Sequence, residues 1–226
     1  MKSSIRAAIS LFATALFLFP AGAGAGTPPA PKPATEGANP YMTPEERAAA
    51  VKLLLDTRKE FLESIQDLTD EQWTYRPALF KWTIAQVSEH IVLAEAKLYE
   101  QLKKAVDSPV NPDWETKTAG KTAMLYQVMP SSRNGKAHAP WEIQPMGKLS
   151  KAEVIRRYNE TRDQILQFAE QTQLPLKELT SEHPFPKFNT LSAYQWLVYI
   201  PLHNKRHNEQ IAAVKASPGY PGRLTN

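Results

Sequence analysis

Cysteine is absent from this chain, and three further shortages narrow its reading. Without cysteine there are no disulfides, no thiol nucleophile and no thiolate ligands. A bound metal must then rest on His, Asp or Glu, a donor set suited to zinc, nickel, iron or manganese. Long apolar runs are lacking: the single one, residues 7–19, is shorter than the ~20 residues of a membrane span. No charge of one sign dominates: the formal net charge is +4, a balance that argues against nucleic-acid binding. Histidine is scarce, five in all, so a multi-histidine site must draw on most of them.

What is present begins with an export pattern. Lys2 and Arg6 precede the apolar run, and Ala21-Gly22-Ala23 and Ala23-Gly24-Ala25 offer small-residue cleavage sites. Residues 1–25 are expected to be a signal peptide, leaving a periplasmic or secreted protein with no stable membrane anchor; a retained N-terminal anchor is the alternative. Residues 26–40, rich in Pro and Ala, read as a flexible tether. Residues 41–216 form the domain and 217–226 a tail. With 42% hydrophobic residues, the remainder can build a core without disulfides.

Four long helical patterns follow. Thr43-Pro44-x-Glu46 has the form of a capping box with Pro at N1. It opens a helix with apolar positions Val51, Leu54, Leu55, Phe61, Leu62 and Ile65 and the Arg58 stem, ending near Asp67. Residues 68–72 read as a connecting turn. Thr83 with Gln86 opens the second helix, striped by Ile84, Val87, Ile91, Leu98 and Leu102. Residues 109–148 are expected to hold a short helix within 113–128, then an ordered loop anchored by Trp141. Ser150 with Glu153 opens the third helix, whose core face runs Val154, Ile155, Tyr158, Thr161, Ile165 and Phe168. The fourth spans about 191–215 and contains Pro201, expected to kink it. With little strand signal, the fold class is all-α: a four-helix bundle with a long crossover connection between helices 2 and 3.

His203 and His207 stand four residues apart, so they share a helix face. His90 lies beside the apolar stripe of the second helix. Bundle cores build metal sites from facing helices, and three imidazoles suffice for an open site. Taken alone, each histidine also has an ordinary reading as a packed or exposed side chain. His138 and His183, in Pro-containing loops, read as solvated.

These residues resemble a known family. Trp82-Thr83-Ile84-Ala85-Gln86-Val87-Ser88-Glu89-His90 looks like the opening of the second helix in DinB-like (DinB/YfiT) metal-dependent four-helix bundles. His203-x-x-Arg206-His207-x-x-Gln210-Ile211 looks like that family's fourth-helix signature, with Arg206 standing where many members carry histidine. The resemblance covers about residues 41–216. It implies a divalent metal ion, zinc or nickel above others, held by His90, His203 and His207.

Around that site Gln86, Tyr199, Arg206 and Gln210 are candidates to orient an imidazole or meet substrate, with simple packing as the alternative for each. Glu89 and Glu209 read as solvated, so no general base is evident. Trp82, Trp141 and Trp196 are candidates to line an apolar pocket, with core packing the alternative. The expected function is a metal-dependent hydrolase or transferase acting on a small-molecule ligand. Thiol transfer, known among relatives, fits an exported chain less well. The competing readings are a metal- or ligand-binding bundle without turnover, and a homodimeric structural protein.

Overall fold

The computed structural model describes residues 39–130 and 139–222. The expected signal peptide and most of the expected tether lie outside them, as does His138. Four long helices make the body: α1 (Pro44–Ile65), α3 (Ile84–Val106), α6 (Lys151–Gln171) and α7 (Ala193–Lys215). Shorter helices are α2 (Asp70–Thr74), α4 (Trp114–Thr118) and α5 (Lys121–Val128). No helix among the described residues is long and apolar enough to cross a membrane.

The long helices begin where their caps dictate. Reciprocal capping boxes join Thr43 with Glu46, Thr83 with Gln86 and Ser192 with Gln195, while the Ser150 side chain accepts the Glu153 amide. Each such cap is worth about 1 kcal/mol and fixes the register in which the following side chains meet the core. Residues 68–72 are more than a turn: Thr69 and Gln72 form another capping box and start α2. The 113–128 stretch holds two short helices, α4 and α5.

Helix α7 packs against α3 and α1, and α6 packs against the same two from the other side. Helices α1 and α6 run antiparallel. Arg47 bonds the carbonyls of Ala169 and Thr172 at one end, and Lys151 bonds those of Gln66 and Leu68 at the other. Helix α7 runs unbroken through Pro201, although proline deprives the Leu197 carbonyl of its in-helix donor.

Several sequence expectations are corrected. Leu55 is exposed and Leu53 takes its place in the core. Thr161 and Ile155 are only partly buried, and Arg162 faces inward instead. A two-stranded antiparallel hairpin, β1 (Thr180–Glu182) with β2 (Thr190–Ser192), was not legible; its strands are three residues each, too short for an alternating pattern. Residues 218–221 pack too: the Tyr75 hydroxyl donates to the Pro218 carbonyl at 2.7 Å, Gln72 donates to the Pro221 carbonyl, and Tyr220 is buried.

A polar layer divides the core into two apolar clusters. One gathers Leu54, Leu102, Ile165 and Leu202; the other Phe61, Val92, Tyr158 and Ile211. Between them on each long helix lies a polar side chain: Thr57, Glu95, Arg162 and Asn204. The Arg162 guanidinium donates to Glu95 at 2.8 Å, to the Leu54 carbonyl at 2.6 Å, to the Thr57 hydroxyl at 2.9 Å and to Asn204 at 3.1 Å. Tyr158 donates to the same Asn204 oxygen, and Asn204 donates to Asn208. This network ties all four long helices together. A buried charge pair adds little net stability, but its bonding geometry admits few alternatives.

Candidate metal centre

The polar layer fixes the rotation of α7, because Asn204 and Asn208 follow His203 and His207 by one residue each. With the asparagines held toward α1 and α6, the histidines turn toward α3. There they meet His90, and one ligand atom from each of the three lies within 4.8 Å of the others. Ring centroids are 4.5 Å apart for His90–His207, 4.5 Å for His203–His207 and 5.4 Å for His90–His203. His90 and His207 are buried, and His203 is partly open to solvent.

Partners on the far ring nitrogens set the tautomers. His90 Nδ1 lies 2.8 Å from the Ile143 carbonyl, which can only accept, so Nδ1 carries the proton and Nε2 keeps its lone pair. His207 Nδ1 lies 2.9 Å from Gln210 Oε1, which requires the same tautomer. Nε2 of His207 then faces Nε2 of His203 at 3.3 Å. Two lone pairs at that separation repel unless a proton or a cation lies between them.

Burial disfavours the charged form of all three rings. Burial holds His90 below its ordinary pKa. His203 is pushed well below its usual value, first by burial and then by the neighbouring His207, His90 and Arg206. His207 falls to about 3, first through burial and then through the proximity of His90. Neutral imidazole is the ligand form, and on His90 and His207 Nε2 is the nitrogen left for a metal, so the donor set fits a divalent ion.

The candidate neighbours divide. Gln210 does orient an imidazole, that of His207. Gln86 serves as the cap of α3, its Oε1 accepting from the Thr83 amide and from Arg76. Tyr199 is buried, with its ring nearly parallel to that of His203 at 6.1 Å between centroids. Arg206 is half-buried and its charge acts on His203, His207 and Tyr199.

Three further expectations fail. Glu89 is not solvated: it is buried, and its carboxylate accepts the backbone amides of Gly147 and Lys148. Trp141 is no anchor, being 80% exposed on a single 3₁₀ turn, Trp141–Ile143. His183 is buried rather than solvated, stacked on Trp196 at 4.9 Å and accepting the Phe185 amide at Nδ1. Of the three tryptophans, Trp196 is core, while half-buried Trp82 lies 5.0 Å from His90 between ring centroids.

The strap formed by residues 139–149 was missed as part of the site. It crosses the start of α3, held by Glu89 and supplying the carbonyl that orients His90. The adjacent pair Glu89-His90 was its only trace in the sequence. Nothing local marks which backbone a buried carboxylate will bind.

Known proteins resemble this chain in sequence and in fold. Over 162 residues the chain is 26% identical to the uncharacterized protein YuaE of Bacillus subtilis (strain 168), covering 71% of this chain and 93% of that one. Its fold matches a solved structure described as "YfiT from Bacillus subtilis is a probable metal-dependent hydrolase with an unusual four-helix bundle topology". The TM-score is 0.54 at 13% identity, covering 77% of this chain and 89% of that one. The model of the DinB superfamily matches residues 53–211, which include His90, His203 and His207. The chain belongs to the DinB superfamily.

Proposed function

We propose that this protein is an exported, periplasmic or secreted, metal-dependent hydrolase acting on a small molecule, with zinc or nickel held by His90, His203 and His207. The observation that carries this reading is the convergence of three imidazoles, one ligand atom from each lying within 4.8 Å of the others. The description of YfiT as a probable metal-dependent hydrolase supports it, as does the export pattern of residues 1–25. An ion with an open position supplies Lewis acidity, activating water and polarising a carbonyl near neutral pH.

The chain's own residues prepare that chemistry. The Ile143 carbonyl and Gln210 hold His90 and His207 in the ligand tautomer. The polar layer beneath keeps α7 in register. Tyr199 and Trp82 border the rings of His203 and His90 and restrict water there. Arg206 places a positive charge beside the site, suited to an anionic group on the substrate.

One observation favours the second reading, a metal- or ligand-binding bundle without turnover. Glu89, the carboxylate next to His90 in sequence, is committed to the strap rather than to the site. Elemental analysis of the purified protein, with His90→Ala, His203→Ala and His207→Ala beside it, tests the metal. Near-stoichiometric zinc or nickel, lost in all three variants, is expected. A wild type that stays empty when offered both ions ends the metal reading. A screen of esters, amides and thiol-transfer substrates then separates turnover from binding alone.

A further inference from the structure

The groups that border the three histidines are aromatic, and the loops beyond them are apolar and exposed. Trp82 lies against His90 and Tyr199 against His203. Of eight exposed large hydrophobic residues among those described, four occupy two loops: Leu79 and Phe80 in residues 75–83, Trp141 and Met146 in residues 139–149. Both loops frame the first turns of α3. Arg76 reaches from one to Gln86, Gly147 of the other lies against the Gln86 side chain, and Ile143 bonds His90. His90 is the seventh residue of α3, so it lies only about 10 Å from that end of the bundle.

These apolar side chains are displayed on tied backbone. Arg76 bonds the Lys81 carbonyl, and Glu89 bonds the amides of Gly147 and Lys148. Phe80 holds φ at 62°, a conformation costly for a residue with a Cβ. A concentration of exposed apolar groups beside a site points to a ligand that covers them. The exposed charges of the loops, Arg76, Lys81 and Lys148 against Glu142, are of mixed sign. Beside those charges Leu79, Phe80, Trp141 and Met146 offer apolar contact.

We infer that the site takes substrates whose reacting group carries an apolar arm, an aryl ring or a medium-length alkyl chain, received by Trp82 and the two loops. The inference deepens the metal-dependent reading and rests on it. A fully buried methylene raises affinity about fourfold, so chain length is a direct probe.

The test uses the full chain loaded with zinc and titrated by calorimetry with acetohydroxamate, hexanohydroxamate and octanohydroxamate, metal content being measured on the same sample. Partial burial of six added methylenes predicts tightening of about 50-fold from the first to the last. Trp141→Ser and Phe80→Ser, at exposed positions, are expected to remove about fivefold from octanohydroxamate binding and nothing from acetohydroxamate. Leu174→Ser, exposed on another loop, serves as the control and should change neither.

A series with no chain-length dependence overturns the apolar arm and leaves the metal reading standing. Loop variants that bind like wild type also overturn it. If Trp141→Ser instead dissociates a dimer seen by sedimentation while the series stays flat, the patch belongs to a second copy. Failure of every hydroxamate to bind overturns the arm, and absent metal in that sample overturns the earlier reading as well.

Discussion

The Nδ1 atom of His207 lies 2.9 Å from Oε1 of Gln210, three residues along the same helix. That contact decides which nitrogen of His207 faces His90 and His203. Partners of this kind typically contribute 10–100-fold to metal affinity. Gln210→Leu should therefore weaken zinc binding by about that range, read by competition with a chelating dye. Gln210 is half-buried and its bond to His207 lies within α7, so the urea midpoint of the metal-free protein should hardly move. Unchanged affinity would mean that the side chain only fills space.

Removing Arg162 should be far more damaging than its distance from the histidines suggests. Its guanidinium is fully buried, and its loss strands the equally buried Glu95 carboxylate. Breaking a buried pair from one side costs about 3–5 kcal/mol, whereas replacing both partners by apolar groups is often neutral. Arg162→Met should accordingly lower stability by about that amount in urea unfolding, and Arg162→Met with Glu95→Leu should recover most of it. The double variant should still bind metal less tightly than wild type, because Asn204 loses the donor that helps set the rotation of α7.

Local chemistry and periodicity made the frame readable, and contacts distant in sequence hid the rest. Thr43, Thr83 and Ser150 announce their helices because capping is settled within four residues. His90, His203 and His207 were identifiable because the motifs around them resemble a family's. Arg162 and Glu95 were passed over because a charged residue on an apolar face looks like an error in the stripe until its partner, 67 residues away in sequence, is seen. Glu89 was misread for the same reason: its acceptors lie 58 and 59 residues away. His183 looked solvated because Pro184 and Pro186 follow it, yet Trp196 and the hairpin enclose it.

The burial of His183 carries a pH dependence. Burial pushes its pKa down to about 4, while the unfolded chain protonates histidine near 6.5. Between those values the unfolded state binds more protons, so stability falls as pH drops from about 6.5 to about 4 and is level above that window. The Phe185 amide occupies the Nδ1 lone pair, and protonation there would break that bond. His90, His203 and His207 shift in the same direction and add to the slope. In chelator-treated protein the urea midpoint should decline steadily from pH 7 to pH 4.5. His183→Asn should be less stable at pH 7 yet show a shallower decline, and an equal slope in both would remove His183 from the account.

Glu89 links the strap to the metal centre, and its substitution should separate local order from global stability. Its carboxylate accepts the amides of Gly147 and Lys148, and the Ile143 carbonyl, four residues before Gly147, orients His90. Glu89→Ala leaves both amides without an acceptor and frees residues 139–149 to move from the start of α3. Hydrogen exchange at Gly147 and Lys148 should rise about tenfold, equivalent to a bond worth about 1.4 kcal/mol. Exchange in the middle of α6 and α7, which reports global unfolding, should change much less. Zinc affinity should fall with strap order, because His90 loses a fixed tautomer partner. Exchange that rises uniformly across the helices would instead make Glu89 a general stabiliser of the bundle. Faster strap exchange with unchanged zinc binding would uncouple the strap from His90.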